Sequence, residues 1–194
     1  FAPSPVYTSD IEKICMEKIF LPTIDALNSE GRTFKGVLYF GLILTEKGPM
    51  VLEYNALFGD PETQALLPLL KNDLVDVFDA VIDGKLHDIK IEWKNDACVC
   101  VIMASGGYPG NYRKGLRITG IDEALKDPNV VVFHAGTRKT DGQYYTDGGR
   151  VIGVTACGIN MDKARERAYK AVSKIHFDGA HYRKDIGSNL PRVK

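Results

Sequence analysis

The sequence predicts an α+β chain of two domains, and three observations carry that expectation. A helix-spaced apolar pattern near the N-terminus runs into two β-rich segments joined by turn residues; a polar stretch over residues 85–96 breaks the patterning; beyond it, strand and helix patterns alternate. The first domain is therefore expected over residues 1–95, as an antiparallel sheet with helices, and the second over residues 96–194, as a small α/β domain. With 194 residues, 44% hydrophobic and 26% charged, the chain can bury a core. Lys and Arg number 25 against 25 Asp and Glu, which disfavours a purely basic nucleic-acid binder. The longest apolar run, Val37 to Leu44 interrupted by Gly41, falls far short of the roughly 18–20 residues of a membrane-spanning helix, so no membrane partner is expected. Phe1-Ala2-Pro3-Ser4-Pro5 has neither a methionine nor a charged segment followed by an apolar core, and reads as the start of a chain cut from something longer.

Taken in order, Thr8 and Ser9 are candidate caps for a helical region in which Ile11, Ile14, Cys15, Ile19, Ile24 and Leu27 recur near helical spacing and which Gly31 ends. Phe34 to Thr45 is β-branched and aromatic, Glu46-Lys47-Gly48-Pro49 supplies a turn, and Met50 to Asn55 returns as the second strand of a hairpin. Asp60-Pro61-Glu62 reads as a helix start with Asp60 as cap, and Asp73 starts a second short helix that Gly84 closes. In the second domain, Ala97 to Ala104 is a strand, Ser105 to Gly115 a glycine-rich loop, Asp122 to Lys126 a short helix and Val130 to Ala135 a strand. A Tyr144-Tyr145 segment, a turn at Gly148-Gly149, a strand over Arg150 to Ala156 and a helix capped by Asn160 or Asp162 follow. That helix carries one apolar stripe, Ala164, Ala168, Ala171, Val172 and Ile175, opposite a charged face that reads as ordinary solvation.

Four scattered cysteines do not make a disulfide scaffold or a zinc site; Cys98 and Cys100 stand two apart on a strand, and all four are expected to be buried structural thiols in a reducing, cytoplasmic setting. His134, inside an apolar strand, reads as a hydrogen-bonded core histidine.

The residues that can do chemistry begin with Glu53-Tyr54-Asn55. On a strand, positions 53 and 55 point to one side and present a carboxylate beside an amide oxygen, the hard donors that suit Mg²⁺ when waters and phosphates complete its shell. An exposed strand end with two polar residues would look the same.

The surrounding run, Glu53-Tyr54-Asn55-Ala56-Leu57-Phe58-Gly59-Asp60-Pro61-Glu62-Thr63-Gln64, resembles the phosphoribosylamine–glycine ligase family, also called glycinamide ribonucleotide synthetase, of the ATP-grasp superfamily. Gly36-Val37-Leu38-Tyr39, Ala104 to Tyr112, Phe133-His134-Ala135-Gly136-Thr137, Gly148-Gly149-Arg150-Val151 and Tyr182 to Gly187 are similar to the family in the same order, so the resemblance covers nearly the whole chain. It implies the C-terminal lobe of an ATP-grasp fold followed by the family's own C-terminal domain, with the N-terminal half of the enzyme missing. The implied reaction joins glycine to 5-phosphoribosylamine at the cost of ATP, in purine biosynthesis.

By the same resemblance, Glu53 and Asn55 are the metal ligands bridging ATP phosphates, with Mg²⁺ or Mn²⁺ as the ion. Asp60 and Glu62 are candidate catalytic carboxylates, either capping the helix or holding the glycine ammonium, with a joint role favoured. Tyr108, Gly110 and Lys114 on the glycine-rich loop, together with Arg150, are candidate substrate contacts, and Asp60 is counted with them. One position departs from the family, which has arginine where this chain has Leu57. A leucine lacks the planar fork of donors that arginine offers carboxylates and phosphates. Either another cation such as Lys114 or Arg150 replaces that charge, or the site is weakened, or Leu57 is an artefact of this sequence. Two other readings stay open: a different ATP-grasp ligase, and a non-catalytic module that kept the fold.

Overall fold

A computed structural model of the chain describes residues 1–188. Helix α1 (Ser9–Cys15) opens where expected, the Ile11 amide donating to the Thr8 hydroxyl at 3.4 Å. A π-helical turn, Met16–Phe20, leads directly into α2 (Leu21–Ser29), with Pro22 in the first turn of α2 just after the π turn. The hairpin follows as β1 (Tyr39–Thr45) and β2 (Gly48–Asn55), an antiparallel pair closed by Glu46-Lys47. Its register slips once: Leu42 pairs with Val51 and Gly41 with Glu53, leaving Leu52 as a bulge that is 68% exposed.

Helix α3 (Glu62–Leu66) corrects one expectation. It begins one residue after Pro61, which occupies the cap position with no side-chain cap, so Asp60 lies before the helix rather than capping it. Glu62 does sit in the first turn, where its charge complements the helix dipole. A 3₁₀ turn (Leu67–Leu69) follows. Helix α4 (Leu74–Asp83) is capped by Asp73, which accepts from the Val75 amide at 2.8 Å, and closed by Gly84 in the left-handed conformation. Another 3₁₀ turn spans Leu86–Asp88.

The described residues form two units, one of residues 4–60 and 70–93, the other of residues 1–3, 61–69 and 94–188. In the first, the tilted rings of Phe20 and Phe40 meet with centroids 4.5 Å apart and tie the helical region to the hairpin; Phe40 and Tyr54 meet edge-on at 5.3 Å across the hairpin, and Phe58, just past β2, meets Phe78 of α4 at 5.9 Å.

The second unit is built on a three-stranded antiparallel sheet in the order β3 (Ala97–Ala104), β8 (Arg150–Gly158), β5 (Val130–His134). Helix α6 (Met161–Val172) packs on it, with Asn160 accepting from the Lys163 amide at 2.9 Å as the predicted cap. Its stripe of Ala164, Ala168, Ala171 and Val172 meets Val99, Val101 and Met103 in one buried core. Arg165 and Tyr169 of α6 donate to the carbonyls of Ile186 and Arg183, fastening the Tyr182-to-Gly187 motif to the helix. Helix α5 (Ile121–Ala124) contributes Ile121 and Ala124 to the core. A smaller sheet orders β4 (Arg117–Ile118), β7 (Gln143–Thr146) and β6 (Thr137–Thr140).

Three further expectations change here. Gly148-Gly149 is not a hairpin turn, because β7 pairs with β4 and β6 while β8 pairs with β3 and β5; the two glycines carry the chain from one sheet to the other. Cys98 and Cys157 face each other across β3 and β8 and form a disulfide, so only Cys15 and Cys100 are buried thiols. Spacing could not show this, since the partners are 59 residues apart and meet through strand pairing alone. His134 is exposed at the end of β5, not in the core; its Nδ1 lies 3.0 Å from the Thr137 hydroxyl and its ring stacks on Tyr144 at 4.4 Å. Partial burial, aided by Lys139, holds the imidazole below its ordinary pKa. No helix among the described residues is long and apolar enough to cross a membrane.

Candidate functional site

Glu53 and Asn55 end strand β2, and the bulge at Leu52 decides which way they point. Directly opposed residues share a face, so Glu53 goes with Gly41 and Asn55 with Tyr39, whereas Val51 and Tyr54 go with Leu42 and Phe40. Val51 and Tyr54 line a cavity of about 380 Å³ with Lys18, Pro22 and Leu27 of the helical region. The carboxylate and the amide therefore occupy the other face, away from the helices. Unbroken alternation counted on from Val51 would put both on the helix side, and the bulge resets that count.

The pair is chemically suited to a divalent ion. Both side chains offer oxygen donors from the same face of one strand, and among the described residues Glu53 makes no ion pair that would compete. No group of three or more His, Cys, Asp and Glu that could hold a metal occurs among the described residues. An ion held by Glu53 and Asn55 would thus draw its remaining ligands from phosphate oxygens and water, the habit of Mg²⁺.

Strand β2 stops at Asn55, so Leu57 lies beyond the ladder and is 52% exposed, an apolar side chain at a position with no core to fill. Asp60 is exposed at the end of the same unit, and Glu62 begins α3 in the other.

In the second unit, the glycine-rich loop runs beside the segment that leads into β8. The Ser105 amide donates to the Gly149 carbonyl at 2.8 Å, its hydroxyl to the Gly148 carbonyl at 2.8 Å, and the Gly115 amide to the Thr146 carbonyl at 2.6 Å. The Tyr108 ring lies on Gly149 so closely that a Cβ there would come within 2.1 Å of it. Only glycine gives that ring its seat. Tyr108 also meets Tyr112 edge-on, with centroids 6.2 Å apart. The Lys114 ammonium lies 3.5 Å from the Asp147 carboxylate, and Arg113 pairs with Asp178. Tyr108 and Lys114 are thus brought beside the segment that leads into β8, where Arg150 is exposed at the start of the strand, while Gly110 packs on Gly107 within its own loop. Sequence reasoning missed the Leu52 bulge and the roles of Gly41 and Gly149 as close-approach sites; a glycine inside an otherwise apolar strand was the available signal for Gly41.

Comparison with known proteins gives two consecutive matches. Residues 1–63 match the ATP-grasp (A) domain of phosphoribosylglycinamide synthetase, and residues 98–189 match its C domain. Phosphoribosylamine–glycine ligase of Caldanaerobacter subterraneus is 50% identical over 187 residues, covering 96% of this chain and 44% of that protein. The enzyme of the same name from Rhodopirellula baltica is also 50% identical over 187 residues, 96% of this chain and 43% of that protein. A trifunctional purine biosynthetic protein adenosine-3 of Gallus gallus is 48% identical over 188 residues, 96% of this chain and 19% of that protein. The chain thus spans less than half the length of the curated relatives it matches. Among solved structures, the phosphoribosylamine–glycine ligase of Thermotoga maritima aligns with a TM-score of 0.78 at 32% identity, covering 95% of this chain and 44% of that one. A biotin carboxylase subunit of pyruvate carboxylase, at a TM-score of 0.59 and 16% identity over 95% of this chain and 40% of its own, shares the fold alone. The α+β fold class that the sequence predicts agrees with these matches.

Proposed function

This chain belongs to the phosphoribosylamine–glycine ligase family, and from that premise we propose that it is part of an ATP-dependent ligase joining glycine to 5-phosphoribosylamine. The observation that carries the reading is the placement of Glu53 and Asn55 on one open face of β2, at the head of the run that ends Phe58-Gly59-Asp60-Pro61-Glu62-Thr63-Gln64.

In this reading Glu53 and Asn55 are the residues that would hold Mg²⁺, or Mn²⁺ in its place, for binding of ATP. An ion held there would supply positive charge for the transferring phosphoryl group. A glycine carboxylate oxygen attacks the γ-phosphorus, the bond to the β,γ-bridging oxygen breaks and ADP leaves. The amine of phosphoribosylamine then attacks the acyl carbon; the carbon–oxygen bond to phosphate breaks, inorganic phosphate departs and the nitrogen loses a proton. Asp60 and Glu62 hold the glycine ammonium as the catalytic carboxylates. On the second unit, Tyr108, Gly110, Lys114 and Arg150 serve as contacts for the phosphorylated sugar, two of them supplying positive charge. The remaining half of the enzyme is the partner that supplies much of the adenine pocket. A cytoplasmic setting belongs to the same proposal; Cys15 and Cys100 support it as cysteines outside any disulfide, and reduction of Cys98–Cys157 there would leave one buried and one partly buried thiol on adjacent strands.

Leu57 is the observation that favours the other reading, a module that keeps the fold without the activity. The two separate in one assay. The full-length protein supplied with ATP, Mg²⁺, glycine and freshly formed phosphoribosylamine releases ADP at a rate that needs both co-substrates. ADP release that ignores either one, or none at all, rejects the ligase.

A further inference from the structure

The hairpin holds a second device beside the bulge. Gly41 is the residue directly opposite Glu53, and it is buried although it has no side chain of its own to bury. What covers it is Glu53: a Cβ built on Gly41 would lie 2.7 Å from Glu53 Cγ and 3.4 Å from Oε1. The glutamate stem is therefore laid across the bare backbone of β1, and the carboxylate is carried toward the Gly41 side of the hairpin.

We propose that Gly41 is a positioning residue for the Glu53 carboxylate, and that an empty place on β1 and an extra residue on β2 together set its direction. The inference rests on the reading of Glu53 as a metal ligand and deepens it. The bulge chooses the face, as the register shows. Gly41 then chooses the path of the side chain along that face, because only a hydrogen at position 41 lets Cγ come this close. The φ of Gly41 lies outside the left-handed region, so the backbone itself would accept any L residue. The neighbour that an alanine would displace is the middle of a flexible side chain and not backbone. An added methyl should consequently leave the strand in place and push Glu53 into another rotamer, moving its oxygens from their present place beside Gly41. Gly in a strand interior forgoes β propensity and side-chain packing, and the space it leaves is filled here by the side chain with the chemistry.

The test uses the full-length protein and Mn²⁺ binding in the presence of a non-hydrolysable ATP analogue, followed by electron paramagnetic resonance. Gly41→Ala should weaken Mn²⁺ binding about tenfold, the lower end of what is lost when a group that orients a metal ligand is changed. Glu53→Gln should weaken it further. Gly41→Ala binding Mn²⁺ as the unchanged protein does, while Glu53→Gln does not, overturns the positioning role and leaves the metal reading standing. Unchanged binding in Glu53→Gln removes the metal reading and this inference with it. If Gly41→Ala lowers thermal stability, the same substitution in a Glu53→Ala background decides, because the proposal places the clash on the glutamate stem. There the stability loss should vanish, and an equal loss in both backgrounds would overturn the proposal.

Discussion

Glu53→Gln in the full-length protein should lower turnover at least about a hundredfold at saturating Mg²⁺, the lower end of what a single electrostatic stabiliser of a transition state contributes. Glutamine keeps the shape and the oxygen but gives up the charge at the point where phosphate charge must be met. Glu53 is exposed and makes no ion pair among the described residues, so folding does not depend on its carboxylate. The loss should therefore appear in kcat with the thermal midpoint unchanged. Steady-state kinetics over a range of Mg²⁺ concentrations measure this directly, and turnover equal to that of the unchanged protein would sink the assignment.

Leu57→Arg should move activity in the opposite direction. Leu57 is half exposed just past the end of β2, so an arginine there displaces no core packing. Its guanidinium can offer paired N–H donors to a phosphate or to the glycine carboxylate, and a charge-assisted contact of that kind contributes about 1.5–3 kcal/mol, or roughly ten- to a hundredfold in rate. Lys114, one of the cations that could replace the missing arginine, already faces the Asp147 carboxylate at 3.5 Å, which reduces the charge it can lend. We expect kcat/KM for glycine to rise about tenfold or more. A neutral or harmful effect would mean that another cation already does this work.

The legible parts of this fold are those whose signals are local. The β1–β2 hairpin announces itself through β-branched residues around Glu46-Lys47-Gly48-Pro49, α4 through Asp73 and Gly84, and α6 through its alanine stripe. What stayed hidden depends on partners distant in sequence. The strands β4 and β6 are four residues or fewer and exist because β7 lies between them. Gly148-Gly149 reads as a hairpin turn until the partners of β7 and β8 are known. Cys98 and Cys157 become a pair only through the β3–β8 register. His134 sits in an apolar run, yet as the last residue of its strand it escapes the core.

The candidate site divides in the same way. Period-two alternation puts Glu53 and Asn55 on one face, which the register bears out. Which face could not be read, because Leu52 looks like any other strand residue and its bulge is decided by the pairing with Gly41 and Leu42. Asp60 resembles a cap because Asp-Pro is a common helix start, but α3 opens one residue later and leaves it outside.

Oxygen transfer from glycine to phosphate tests the central claim most directly. The full-length protein is given ATP, Mg²⁺, phosphoribosylamine and glycine labelled with ¹⁸O in its carboxylate, and the inorganic phosphate released is analysed by mass spectrometry. If the carboxylate attacks the γ-phosphorus and the acyl carbon–oxygen bond later breaks, one labelled oxygen leaves with each phosphate formed. Phosphate released without the label would contradict an acyl phosphate and, with it, the ligase chemistry proposed for the full-length protein.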